Sequence, residues 1–375
     1  MQHPWDSCGN CGGPALVLCV GCQVQVYCGK ECQISNMEVH STVCEGLELE
    51  RAVARTADTI QKAYFAFREP LFDKSIVKVE ERDHKLVLYL DNGEGGRKKG
   101  WFVDLPNHLI QNQGVADAIL CFLMGREPLA YLLNLIRYLT DDMAVKVEEV
   151  QVRLKDIPRN MTVIYADGVQ RSIHPDNPHF LLRLTSRESK KTWAIDITGA
   201  QFGLTQHLWP WEEYLNKHIE TVEIISELNM SCTLLRTSSF LQGAPSLDFG
   251  IPFAAIDRVD LAIKRWEETE LDKRVFVYVE NFSAAQESLI QTIKDATRTF
   301  VDQSDYSKEV QEAIEYEQKN PNASRKELEQ LHLAIYRSHL EPQNKHCSSC
   351  GELATMKCSQ CRVHVYCNAK CQRAH

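Results

Sequence analysis

Seven cysteines and one histidine fall between Cys8 and Cys44, spaced C-x2-C-x7-C-x2-C-x5-C-x3-C-x7-H-x3-C. The residues are Cys8, Cys11, Cys19, Cys22, Cys28, Cys32, His40 and Cys44. Eight thiol and imidazole ligands are enough for two four-coordinate sites. Zn²⁺ takes such ligands tetrahedrally, and closed sites of this composition are structural. The competing chemistry is redox or disulfide formation, which the same CxxC pairs can carry in other settings. The chain is long and its start, MQHPWDSC, lacks a basic segment followed by an apolar one, so no secretory leader is read there. A reducing compartment, cytoplasmic and/or nuclear, is therefore expected, and zinc is the reading adopted.

The spacing occurs twice. Cys347, Cys350, Cys358, Cys361, Cys367 and Cys371 repeat Cys8, Cys11, Cys19, Cys22, Cys28 and Cys32 at one constant offset. Gly351, Val363, Val365, Tyr366 and Gln372 likewise repeat Gly12, Val24, Val26, Tyr27 and Gln33. Thirteen of the fifteen cysteines lie in these two clusters. The other two, Cys121 and Cys232, sit among apolar neighbours and read as packing residues.

Both clusters resemble the MYND zinc finger. The resemblance implies two interleaved sites in the first cluster, one from Cys8, Cys11, Cys28 and Cys32 and the other from Cys19, Cys22, His40 and Cys44. In the second cluster it implies one full site, Cys347, Cys350, Cys367 and Cys371, and a half-site, Cys358 and Cys361. The sequence stops at His375, whose counterpart is Asn36 rather than His40, so a fragment or early-terminated second finger is expected. The implied load is two Zn²⁺ in front and one or two behind. The resemblance further implies protein partners that offer short proline-containing peptides. Gln33 and Gln372 are expected to face outward and contribute to such a surface. Fingers of this family also occur inside SET-domain methyltransferases, but no NHxxxPN-type segment is found here.

A second functional class is also read. Cys121, His179 and Asp196 follow one another in the chain order of papain-like and transglutaminase-like enzymes, and the segment HFLLRLTSRESKKTWAIDITGAQFG resembles the histidine- and acid-bearing strand pair of such enzymes. Against a cysteine hydrolase, Cys121 lies inside an apolar helical run, whereas a reactive thiolate needs an electropositive, partly open place.

The elements that would position these groups follow from periodicity. The expected class is α+β: a finger at 1–45, a mixed α+β domain at 46–230, a mainly helical region at 231–342 and a partial finger at 343–375. Within the first cluster, Val24, Val26 and Tyr27 suggest a short strand, and the ligands from Cys32 onward suit helical turns. Leu49, Val53, Ala57, Ile60 and Tyr64 mark a helix over 46–68, stopped by Pro70. Strands flank a glycine-rich basic loop at 92–100, read as a hairpin loop rather than a phosphate cradle. Residues 114–139 read as a buried helix broken near Gly125 and Pro128. Strands are expected at 145–154, 161–167, 179–186, 192–199 and 274–279. Helices are expected at 211–226, 252–268, 283–302, 306–318 and 323–340. Trp209 and Trp211 read as packing residues.

Charge narrows the function. The formal net charge is −9, and Lys30 is the one basic residue between Cys8 and Cys44. Phosphate attraction dominates nucleic-acid binding, so a nucleic-acid finger is disfavoured. No apolar run approaches the roughly 20 residues needed to span a bilayer.

Overall fold

The computed structural model describes residues 7–19, 21–22, 24–91, 97–174, 177–270, 282–340, 349–350, 354–358 and 365–374. The expected strand at 274–279 lies outside them, as do Cys347 and Cys361.

The chain opens with a two-stranded hairpin, β1 (Val17–Leu18) against β2 (Val26–Tyr27), and a short helix α1 (Lys30–Ser35). Asn36 breaks the helical path, and α2 (Met37–Arg68) continues without interruption into the body of the protein. It starts earlier than its core periodicity suggests, because Val39 and Val43 in its first turns are exposed and carry no core pattern. Its later turns bury Val53, Ala57, Ile60, Tyr64 and Phe67. One rigid rod thus joins finger to core.

Next come β3 (Ile76–Arg82), β4 (Lys85–Leu90), α3 (Gln113–Leu120), α4 (Glu127–Tyr131) and α5 (Leu133–Thr140). The apolar stretch at 114–139 therefore splits into three helices rather than two. The Asn112 side chain accepts from the Val115 N–H and caps α3, and Pro128 occupies the first turn of α4. Then follow β5 (Val145–Leu154), β6 (Asn160–Ile164), β7 (Gln170–Ser172), β8 (His179–Ser186), β9 (Thr192–Ile195), β10 (Leu208–Pro210), α6 (Trp211–His218) and β11 (Ile219–Glu227).

The helix expected over 211–226 is corrected. It ends at His218, and ETVEIISE forms the edge strand β11, antiparallel to β5. Val222, Ile224 and Ile225 are β-branched and prefer a pleated, half-buried surface to a helix.

Strands β10-β9-β8-β5-β11 make an antiparallel sheet, and β3-β4-β6-β7 make a second sheet in which β4 and β6 run parallel. The first sheet is covered on both faces. Phe180, Leu182, Leu184, Trp193 and Ile195 enter one core with α2, α4, α5, α9 (Gly250–Glu270) and α10 (Phe282–Gln303). Leu181, Ala194, Val150 and Val152 enter another, with α3 and the second sheet. Double burial explains why β8 and β9 read as nearly continuous apolar runs. Trp209 and Trp211 are buried in this second core.

The remaining helices are α7 (Met230–Ser238), α8 (Ala244–Asp248), α11 (Ser307–Lys319) and α12 (Ala323–Leu340). The pair α7 and α8 lies at the head of the stretch read as mainly helical, though neither was expected individually. Buried Glu149 on β5 accepts from the Asn229 and Ser231 N–H groups, at 2.8 Å each, and so caps α7. The second short hairpin is β12 (Met356–Lys357) with β13 (Val365–Tyr366), followed by α13 (Ala369–Ala374).

The basic loop before Trp101 is a clamp. The Lys99 ammonium donates to the Val301 and Asp302 carbonyls at the end of α10, and the Tyr306 N–H donates to the Lys99 carbonyl. A cation there complements the helix dipole.

Candidate metal centre

Each knuckle is shaped by its backbone. The Cys8 N–H donates to the Gly13 carbonyl at 2.7 Å and the Gly12 N–H returns to the Cys8 carbonyl at 2.8 Å. Gly12 holds φ +72°, a left-handed conformation that favours glycine. At the second knuckle, a Cβ on Gly21 would come 2.9 Å from the Cys44 sulfur, so a side chain there would crowd a ligand.

The fold gathers the ligands into two interleaved groups. Cys8, Cys11, Cys28 and Cys32 form one, and Cys19, Cys22, His40 and Cys44 form the other, with all ligand atoms of each group within 4.8 Å of one another. Cys11 and Cys28 sulfurs are 3.7 Å apart, Cys28 and Cys32 3.4 Å, and Cys19 and Cys44 3.6 Å. Nε2 of His40 is 3.4 Å from the Cys22 sulfur. A tetrahedron with Zn–S of roughly 2.3 Å has an edge of about 3.8 Å, so these donor sets fit a zinc ion. α1 carries Cys32, and α2 carries His40 and Cys44.

Without a cation the thiols compete for charge. Burial, with the Cys19 thiol beside it, pushes Cys44 up to about 12. In Cys19 burial acts in the same sense, but the Cys22 N–H and His40 outweigh it and lower the thiol to about 7. A divalent metal removes the conflict by deprotonating every ligand.

Groups around the ligands support them. The Gln33 amide reaches the Cys19 sulfur at 4.0 Å, and the Gln25 N–H donates to the Cys22 sulfur at 3.5 Å. Asn36 donates to the Gly9 carbonyl at 3.0 Å, and Arg51 on α2 donates to the Gly21 carbonyl at 3.0 Å. These contacts tie both knuckles to the helices that carry the other ligands. Arg51 and Asn36 carried no signal in the sequence. Gln33 did, because it recurs as Gln372, but it turns toward a ligand sulfur rather than outward as expected.

The C-terminal cluster repeats the geometry among its described residues. Met356 and Lys357 pair with Tyr366 and Val365 in the register that joins Val17 and Leu18 to Tyr27 and Val26. Cys350, Cys367 and Cys371 draw together, with sulfur separations of 3.4 Å for Cys350–Cys367 and 3.6 Å for Cys367–Cys371. Gln372 lies 3.7 Å from the Cys358 sulfur. Cys347 and Cys361 are the two expected ligands outside the described residues.

The second constellation is partly assembled. His179 Nε2 is 2.8 Å from Asp196 Oδ1, and the Tyr214 hydroxyl donates to Asp196 Oδ2 at 2.7 Å. All three are buried, and His179 Nδ1 has no partner among the described residues. Cys121 closes the C-terminal end of α3, fully buried, with its sulfur 3.9 Å from the Ile197 carbonyl. Burial, followed by the Asp196 charge, pushes this thiol well up. It is thus neither exposed nor at a helix N-terminus.

No described helix is long and apolar enough to cross a membrane. No solved structure matches the chain. Residues 8–44 match the family described as the MYND finger, so the two interleaved ligand groups at the N-terminus form a MYND-type zinc-binding motif.

Proposed function

We propose that the chain is a zinc-dependent adaptor whose N-terminal finger docks short, proline-containing peptides of partner proteins. The observation that carries this reading is the apolar surface of the finger. Leu16 is 80% exposed, Val39 79%, Ile34 68% and Met37 65%, although each lies beside a metal knuckle or on a ligand-bearing helix. Exposed apolar side chains on a metal-stapled finger suit a partner. β2 is flanked by β1 and by the Gly9 N–H, whereas β1 has no second strand neighbour among the described residues. An extended peptide can add to such an edge, and proline keeps a peptide extended at low entropic cost.

On this reading the finger at 1–45 and the partial finger at 343–375 bracket a mixed α+β domain at 46–230 and a helical region at 231–342. All fourteen ligands named above serve zinc, two ions in front and one or two behind. The partners are proteins of the cytoplasm and/or nucleus, and nucleic acid is not among them.

The test is selection of peptides from a proline-anchored display library on the zinc-loaded chain. Binding should disappear on chelation and in Leu18→Asp, with metal analysis checking that the variant still holds two zinc ions in its N-terminal finger. Peptides that bind equally well after metal removal would sink the proposal.

A cysteine hydrolase or transglutaminase-like enzyme using Cys121, His179 and Asp196 is the second reading. The 2.8 Å His179–Asp196 contact favours it. The buried, protonated thiol of Cys121 weighs against it.

A further inference from the structure

A cleft of about 300 Å³ opens where α4, β8 and the 3₁₀ turn at Gly199–Phe202 meet α12. Its walls are apolar and aromatic, with Phe180, Phe202, Phe249 and Leu235 among them. Two guanidinium groups, Arg126 and Arg171, also line it. The Arg126 guanidinium lies 4.4 Å from the centre of the Phe180 ring, and its Nη2 donates to the Tyr336 hydroxyl at 2.5 Å. Neither arginine has a carboxylate at ion-pair distance among the described residues.

Among the described lining residues, the cleft sets two arginines against one carboxylate. That carboxylate, Glu127, accepts from the Gly125 N–H at 2.6 Å, and burial pushes its carboxyl up. His332 adds no charge. Burial, and then the Arg126 charge, push it down to about 4, and its Nε2 is 3.0 Å from the Ser238 hydroxyl. The neighbouring cavity behind Leu123 differs, because its Arg68 and Lys74 are both paired with Asp73.

The wall is also strained. Leu123 holds φ +56°, a left-handed conformation rare for a bulky residue, and it lines the cleft. Such outliers cluster at ligand sites, where surrounding contacts hold them.

We propose that this cleft binds a small organic acid, with its carboxylate between Arg126 and Arg171 and its aromatic or branched body against Phe180, Phe202 and Phe249. A guanidinium fork matches a carboxylate bidentately. An apolar pocket with few polar groups fixes the orientation of such a ligand. The cavity volume suits a molecule of this size rather than a folded partner. The site is independent of the finger, and α12 contributes His332 to its rim.

The test is calorimetric titration of the zinc-loaded full chain with 3-phenylpropionate, 3-phenylpropanamide and phenylphosphonate. The acid should bind and the amide should bind about tenfold more weakly or less, the loss expected for one charge-assisted contact. Arg171→Gln, at an exposed strand position, should weaken the acid by a similar factor without moving the melting temperature. Equal binding of acid and amide would overturn the proposal. So would wild-type affinity in Arg171→Gln, tighter binding of the phosphonate, or no heat with the acid up to about 20 mM, which corresponds to a very weak complex.

Discussion

The side-chain amide of Gln33 points at the Cys19 sulfur, 4.0 Å away, and Gln372 stands in the same relation to Cys358 at 3.7 Å. The same pairing in both clusters assigns the glutamine to ligand support. An N–H directed at a thiolate offsets part of its charge and orients it. Gln33→Leu should therefore weaken zinc at the Cys19, Cys22, His40 and Cys44 group by roughly 10–100-fold. The Cys8, Cys11, Cys28 and Cys32 group should be unaffected. Competition with a chromophoric chelator separates the two, and unchanged affinity would return Gln33 to the outer surface.

Buried Arg68 and Asp73 form an ion pair at 2.5 Å, and Lys74 adds a second contact to Asp73 at 2.7 Å. Burial alone would raise the Asp73 carboxyl. The Lys74 and Arg68 charges outweigh it and hold Asp73 well below the usual carboxylate range. A depressed folded pKa contributes stability that is complete above the unfolded value of about 3.9 and drains away as pH falls toward the folded one. Wild-type urea midpoints should fall below about pH 4 through this pair. Asp73→Asn should lose about 3–5 kcal/mol at neutral pH, because Arg68 stays buried without its partner. The variant should also show a flatter acid limb, and parallel limbs would assign acid sensitivity elsewhere.

Gly100 holds φ +78°, and a Cβ there would lie 2.6 Å from the Ser307 Cα. Backbone meets backbone, so neither side can swing away. Gly100→Ala should cost about 2 kcal/mol or more and lower the melting temperature by several degrees. Lys99→Met, which removes only the cap on α10, should cost about 0.3–1 kcal/mol. A neutral Gly100→Ala would mean that the 97–102 loop does not hold α11 in place.

Cys121 should resist iodoacetamide in the native, zinc-loaded chain and react only on unfolding. Its thiol is fully buried and its pKa is raised. Half-buried Cys232 should react first. Peptide mapping by mass spectrometry reads both. Rapid native labelling of Cys121 would favour a cysteine enzyme built on the His179–Asp196 pair.

Long surface helices were legible because their cues are local. The helices expected at 283–302, 306–318 and 323–340 match α10, α11 and α12 within about two residues. β11 was not legible, because IETVEIISE follows a helical stretch without a break and only its pairing with β5 makes it a strand. Helical turns were expected from Cys32 onward, but their continuity with the long helix was not legible, because Val39 and Val43 face outward, where no core imposes periodicity.

Spacing alone determined that Cys8–Cys44 carries ligand chemistry and that the pattern recurs at Cys347–Cys371, since tetrahedral sites need knuckles of fixed length. Tertiary structure decided what surrounds those ligands. It directed Gln33 inward, brought Arg51 from the rod-like α2 to the Gly21 carbonyl, and placed His179 on Asp196 across two strands. It also buried Cys121 at the C-terminal end of α3, and brought Arg126 and Arg171 into an aromatic cleft with no carboxylate at ion-pair distance among the described residues. Contacts between distant segments depend on how faces pack, and packing is set by the whole core rather than by any local pattern.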